Sequence, residues 1–256
     1  MGTVVDAESR NDPYDNLFME INQNRLTRGA PLLLQSSFAN KLSINMPGSL
    51  GEFRLGVVSD GQPIYLEPGT DTWVKPVAGK LKWTITPGST EERFTLVLYS
   101  RDFTQTLAFH CESYAADHPW YSSSRFYVST PTNNGFFAHK GILRLTQTDY
   151  RNGIQLWPVG NRLFGKKITM TLTGEHGVPD VTPAEPQTMG HLELKWNFSF
   201  DKFDKVVPVT ARFEAEGVPL GTSFDFSPTA DVMTETVSGK LEYSEAIESS
   251  TDSAKE

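Results

Sequence analysis

The sequence predicts an all-β chain that folds as two β-sandwiches in tandem. Three observations lead to this prediction: an internal repeat, short runs of alternating apolar residues, and Gly- and Pro-rich turns between the runs. In the repeat, Leu81-Lys82-Trp83 returns as Leu194-Lys195-Trp196, and the same offset aligns Cys111 with Phe224. A repeat of this length is one small domain copied, so we expect two related β-modules.

The first module is predicted over residues 17–111, after a polar, acidic leader at residues 1–16. An apolar residue at every second position is typical of a strand with one buried face. The predicted strands are residues 52–57, 79–86, 93–99 and 106–109. We expect Trp83, on the second of these strands, to fill the space between the two sheets of this module.

The second module is predicted over residues 125–226, after a linker at residues 112–124. Its predicted strands are residues 142–145, 167–172, 192–198 and 206–213. Trp196 matches Trp83 in the repeat and is expected to occupy the same place in the second core. The acidic, Ser-rich tail at residues 227–256 has little apolar surface to bury, so both acidic termini are predicted to be disordered.

Composition excludes several classes of function. The formal net charge is −8, and much of the acidic excess lies in the leader and the tail. Nucleic acids and anionic membrane surfaces attract basic patches, so neither is an expected partner. No apolar run is long enough for a transmembrane segment. The first residues lack the basic and apolar stretches of a classical signal peptide, so an extracellular or cell-surface location would need another route, and the alternative is cytoplasmic.

The strand sequences carry a resemblance to a known family. Gly79-Lys80-Leu81-Lys82-Trp83-Thr84-Ile85-Thr86-Pro87, followed by Phe94-Thr95-Leu96-Val97-Leu98-Tyr99-Ser100, is similar to the closing strands of immunoglobulin-like repeats in large bacterial surface or secreted proteins. The resemblance implies two tandem immunoglobulin-like β-sandwiches and a role in adhesion, spacing or scaffolding. It brings no catalytic residues with it. The Cys…Trp…Cys spacing of antibody domains is absent from the sequence.

Candidate catalytic and metal-binding residues have simpler interpretations. Cys111 follows His110 directly, and neighbours on a strand point to opposite faces, so they are not expected to form a nucleophile–base pair. Because Cys111 matches Phe224 in the repeat, we expect it to be buried. Asp201 and Asp204 alternate with lysines, which favours a solvated turn over a calcium site. The four remaining histidines are expected on the surface: His118, His139, His176 and His191. No cofactor and no metal site is predicted.

Aromatic residues outside the repeated strands are the candidate binding residues. Protein interfaces favour Trp and Tyr, and sugars stack on exposed flat rings. The predicted binding residues are Trp73, Trp120, Tyr121, Tyr150 and Trp157. The alternative is that these rings only fill the ends of the two sandwiches and the junction between them.

The sequence therefore favours a non-enzymatic interaction or structural module of the bacterial surface type. We expect it to bind a protein or a glycan through loops and linker aromatics. The alternative is the receptor-binding or membrane-acting subunit of a bacterial toxin, because pairs of β-sandwiches also occur in such subunits.

Overall fold

A computed structural model describes residues 17–27, 29–46, 51–59 and 63–229. These residues form 18 β-strands and, within these ranges, no helix. The prediction of an all-β chain with two β-sandwiches in tandem is confirmed. The predicted leader at residues 1–16 and all but the first three residues of the predicted tail lie outside the described residues.

Nine strands build the first module. They are β1 (Phe18–Ile21), β2 (Asn24–Leu26), β3 (Leu32–Gln35), β4 (Asn40–Asn45), β5 (Phe53–Val58), β6 (Ile64–Glu67), β7 (Lys80–Pro87), β8 (Arg93–Ser100) and β9 (Leu107–Tyr114). One sheet has the order β2-β1-β4-β7-β6, and the sheet that packs on it has the order β3-β9-β8-β5.

Nine further strands build the second module. They are β10 (Ser124–Ser129), β11 (Asn134–Phe137), β12 (Ile142–Leu145), β13 (Arg151–Pro158), β14 (Lys167–Thr173), β15 (Gln187–Thr188), β16 (Leu194–Ser199), β17 (Val209–Ala215) and β18 (Thr222–Pro228). One sheet has the order β16-β13-β10-β11, and the other has the order β12-β18-β17-β14-β15.

The internal repeat is visible in the topology. In one sheet of each module, β1-β4-β7 corresponds to β10-β13-β16, and in the other β3-β9-β8-β5 corresponds to β12-β18-β17-β14. Even the exceptional parallel pairing recurs, because β3 runs parallel to β9 and β12 runs parallel to β18. The strands that the sequence repeat aligned are therefore equivalent in the fold.

Each module has its own apolar core. Trp83 is 2% exposed in the first core and Trp196 is 1% exposed in the second, as the repeat predicts. Cys111 and its counterpart Phe224 are both buried. The repeat fails at its edge, where Leu220, the counterpart of the half-buried Leu107, is 71% exposed. Leu220 lies in the turn before β18, where the chain reaches solvent.

The two modules share one continuous sheet, which the sequence did not predict. Strand β11 of the second module pairs in parallel with β2 of the first at Phe137 and Arg25, producing a nine-stranded sheet. Phe137 belongs to the second core, whereas the next residue, Ala138, packs in the first core. Because successive residues of an extended chain point to opposite faces, the two partner sheets cover opposite faces of the shared sheet.

The predicted linker at residues 112–124 is short and structured. Strand β9 continues to Tyr114 and β10 begins at Ser124, so only residues 115–123 connect the modules. The junction is also tied by side chains, since Lys140 forms an ion pair with Glu112 and the Ile142 amide donates to Thr27 Oγ1 at 2.6 Å. The linker prediction overlooked that alternating residues at 112–114 extend β9.

Candidate functional site

Trp120, which the sequence predicts as a binding residue, is a core residue in the structure. It is fully buried and belongs to the apolar core of the second module. Its Nε1 donates a hydrogen bond to the Leu220 carbonyl oxygen at 2.9 Å. Burying a large aromatic ring is strongly favourable, and here its only polar group is also satisfied. Trp120 therefore anchors the connecting segment and presents no ring to a partner.

Tyr121 packs in an aromatic cluster at the junction, which we call the junction cluster: Tyr114, His118, Tyr121 and His139. The Tyr121 ring stacks on His118 with centroids 3.8 Å apart and planes 8° apart. Tyr114 meets it edge-on at 5.3 Å, and His139 lies at 5.2 Å. Burial raises the pKa of both tyrosines. Tyr121 is half-buried, with one ring face already occupied by His118.

His139 is the buried member of the junction cluster, which corrects the expectation of a surface histidine. Its Nδ1 lies 2.9 Å from Thr222 Oγ1 and its Nε2 lies 2.9 Å from the Ser124 carbonyl oxygen. Because the carbonyl only accepts, Nε2 carries the proton and Nδ1 accepts from the Thr222 hydroxyl. Burial lowers the pKa of His139 to about 4. The ring is therefore neutral at physiological pH. Burial also lowers the pKa of the half-buried His118.

Trp73 lies in the first module beside β5 and is flanked by cations of its own chain. The Arg101 guanidinium lies 4.8 Å from the centroid of its ring, and the Arg54 guanidinium lies 5.4 Å away. Arg54 also stacks on Tyr99 at 4.4 Å. Tyr99 in turn lies over Gly56, where a Cβ would come within 2.9 Å of the ring. These cation–π contacts account for the position of Trp73 without a ligand.

Trp157 is part of an aromatic surface on the outer face of the second module. We use the term aromatic surface for Tyr127 on β10, Phe136 on β11 and Trp157 on β13. Tyr127 and Phe136 meet edge-to-face at 5.3 Å, and Phe136 and Trp157 do so at 5.9 Å. All three rings are half-buried. They stand on the shared sheet, on the face opposite the second core.

Polar side chains continue this face in register. Tyr127 lies opposite Phe136 on one side and opposite Gln155 on the other, and Gln155 lies opposite Lys195. Two residues further along each strand, and therefore on the same face, a second row crosses the same four strands. It consists of Asn134, Ser129, Gly153 and Asn197. Gln155 Oε1 accepts a hydrogen bond from Trp157 Nε1 at 3.0 Å, which holds the indole in place. Apolar rings and amide groups therefore share one face of the sheet.

Sequence reasoning missed Tyr127 and Phe136, although the signal was present. Phe126 and Val128 are buried, so strand alternation places Tyr127 between them on the outer face. Phe136 precedes the buried Phe137 in the same way. Only their pairing across β10 and β11 brings these residues to Trp157, and that pairing needed the structure.

Tyr150, the last predicted binding residue, stands apart from this surface. It is exposed and directly precedes β13, whereas Trp157 lies near the end of that strand. At about 3.3 Å per residue, the two are roughly 23 Å apart. The structure therefore does not bring the predicted residues into one site. Trp73 lies in the other module, Trp120 is internal, Tyr121 lies at the junction, and Trp157 belongs to the aromatic surface.

The residues considered for catalysis and for metal binding do not come together in the structure. Cys111 is buried while His110 is exposed on the other face of β9. Burial raises the pKa of the Cys111 thiol to about 12, which suppresses the nucleophilic thiolate. Asp201 and Asp204 are both exposed. In the described part of the chain, no group of three or more His, Cys, Asp or Glu side chains is placed to hold a metal ion. That part also lacks any helix long and apolar enough to span a membrane.

Comparison with known proteins gives a likeness among solved structures. No family model matches the sequence, and no curated protein matches it. The chain is similar to the D0-D1 domain of Intimin, with 8% identity, a TM-score of 0.44 and coverage of 82% of this chain and 99% of that chain. It is also similar to tandem Ig domains of titin, with 7% identity, a TM-score of 0.24 and coverage of 82% and 96%. It is similar, too, to domains 4 and 5 of the S-layer protein SbsC, with 9% identity, a TM-score of 0.24 and coverage of 84% of this chain and 98% of that chain. At these identities and scores, the likeness carries no argument about function.

Proposed function

We propose that this chain is a non-enzymatic interaction module of the surface-protein type, which binds a partner through the aromatic surface of its second module. The observation that carries the proposal is the grouping of Tyr127, Phe136 and Trp157 on one solvent-facing sheet. Trp and Tyr dominate the binding energy of many recognition surfaces because they bury large areas at a small entropic cost.

The rigid setting of the surface supports the same proposal. Tyr127, Phe136 and Trp157 come from three paired strands, and the Trp157 indole is held by Gln155. A ligand would therefore meet a pre-formed surface and would not have to order a loop, which lowers the entropic cost of binding. This differs from binding through loops and linker aromatics, because Trp120 is internal and Tyr121 is stacked on His118.

Binding by three matched proteins tests the proposal. Wild type, Trp157→Ala and Tyr65→Ala are applied to a glycan array and to a panel of purified extracellular matrix and receptor proteins. Tyr65, on edge strand β6 of the first module, is 64% exposed and serves as the control for loss of a surface ring. We expect wild type and Tyr65→Ala to share a ligand that Trp157→Ala loses. Identical ligand profiles for all three proteins would contradict the proposal.

A further inference from the structure

The aromatic surface is too small to be the whole contact area of a protein partner. Neighbouring strands lie about 4.8 Å apart, so the step from β11 across β10 to β13 spans roughly 10 Å. Three half-buried rings over this width expose an area on the order of 100–200 Å², whereas a stable protein interface buries about 800 Å² on each side. The dimensions instead suit a ligand of a few small rings.

The side chains around the rings have the hydrogen-bonding pattern that hydroxyl groups need. The Gln155 amide oxygen is engaged by Trp157, whereas its nitrogen has no hydrogen-bond partner among the residues that the structure describes. Ser129, Asn134 and Asn197 stand in the adjacent row, and Asn197 Oδ1 lies beside the position that a Cβ of Gly153 would take, at 3.4 Å. Amides and hydroxyls both donate and accept, and they therefore match the vicinal hydroxyls of a sugar.

The charge of this face does not favour an acidic or a basic ligand. Lys195 forms an ion pair with Glu193 at 2.7 Å, and that hydrogen bond lowers the pKa of Glu193. Arg125, directly opposite Trp157, and Arg151, at the other end of β13, are further cations on this face, and they stand roughly 20 Å apart along the strand and do not converge. An acidic polysaccharide usually requires several converging cations, whereas a neutral ligand needs none.

From these observations we propose that the aromatic surface binds a neutral oligosaccharide. The apolar C–H faces of its sugar rings would stack on Phe136 and Trp157, and its hydroxyls would bond to the Gln155 amide and the second row. This inference rests on the proposed function, since it names the ligand class of the same surface. A protein partner is the competing class, and the experiment below separates the two.

Titration calorimetry with a defined panel tests the inference. The neutral probes are cellohexaose, maltohexaose, mannohexaose, xylohexaose and hexa-N-acetylchitohexaose, and the acidic probe is hexagalacturonate. We expect at least one neutral probe to bind wild type and Tyr65→Ala equally. Trp157→Ala is expected to bind at least about tenfold more weakly, because loss of one stacking ring removes on the order of the 1.4 kcal/mol that a factor of ten represents. Thermal unfolding checks that each variant is folded.

A second variant separates ligand chemistry from ring packing. Gln155→Glu keeps an acceptor for Trp157 Nε1 but replaces the amide donor with a carboxylate. We expect it to weaken binding of the neutral probe several-fold while its thermal unfolding stays the same as that of wild type. Failure of every neutral probe to bind, or stronger binding of hexagalacturonate, would overturn the inference. If a purified protein still binds in a Trp157-dependent way, the proposed function survives that result; if nothing depends on Trp157, both fail.

Discussion

Two buried tryptophans differ in one hydrogen bond, and that difference predicts opposite responses to the same substitution. Trp120 Nε1 donates to the Leu220 carbonyl oxygen at 2.9 Å. Trp83 Nε1 is equally buried but has no hydrogen-bond partner among the described residues. Trp120→Phe and Trp83→Phe each remove an indole N–H and a similar volume from a close-packed core, so they form a matched pair.

The expected change in the free energy of unfolding depends on the volume removed from the core and on whether the indole N–H has a hydrogen-bond partner. Trimming indole to phenyl leaves a small cavity that costs about 1 kcal/mol at either site. Trp120→Phe also loses a hydrogen bond worth about 1 kcal/mol, which gives a total loss of about 2 kcal/mol. Trp83→Phe removes a buried, unpaired donor whose desolvation costs about 1–3 kcal/mol, so its net stability lies between that of wild type and about 2 kcal/mol above it. Replacement of either residue by alanine costs about 3–5 kcal/mol.

Urea unfolding followed by far-UV circular dichroism measures both variants at pH 7. The slope of the free energy of unfolding against urea concentration reports the surface exposed on unfolding. A variant whose slope equals that of wild type has kept the overall fold, which is the control for global damage. A Trp83→Phe variant that is less stable than Trp120→Phe would refute the reasoning. A loss below 1 kcal/mol for Trp83→Ala would show that Trp83 is not a core residue.

Two other groups give predictions of pH dependence and reactivity. His139 has a folded pKa of about 4 against an ordinary value of 6.5, so the unfolded chain binds more protons between these values and stability falls as pH drops from 6.5 to 4. At about 1.4 kcal/mol per pKa unit, roughly 3 kcal/mol is lost by pH 4. His139→Gln removes this component, so the difference between its pH profile and that of wild type isolates it; parallel profiles would contradict the assignment. Cys111 should react with Ellman's reagent only after unfolding, because its thiol is buried and has a pKa of about 12. Reaction of the folded protein at the rate of a free thiol would show that the site is open.

Much of the fold could be predicted because alternation reports directly on burial. The repeat of Trp83 and Trp196 aligned strands that proved equivalent, and the match of Cys111 with Phe224 placed a lone cysteine in a core. These inferences needed only local periodicity and a single offset. They succeeded wherever a strand has one face buried and the other in solvent.

Contacts between distant, short elements could not be predicted. The pairing of β2 with β11 joins strands of three and four residues. Strands this short have too few alternating residues to indicate which other strand they pair with. Trp120 lies in a segment rich in Ser, with no periodicity to show that it turns inward. One part of the aromatic surface could be predicted, because strand alternation places Tyr127 on the outer face. Its grouping with Trp157 could not, because that depends on the register between β10 and β13.

The central claim is that a ligand binds on the aromatic surface of the second module, and acrylamide quenching of tryptophan fluorescence tests it most directly. Of the five tryptophans, Trp83, Trp120 and Trp196 are buried, so in a Trp73→Phe variant only Trp157 remains accessible to the quencher. A saturating neutral oligosaccharide, which has no fluorescence of its own, should remove most of the quenchable fraction. Unchanged quenching in the presence of a ligand that calorimetry shows to be bound would contradict the claim.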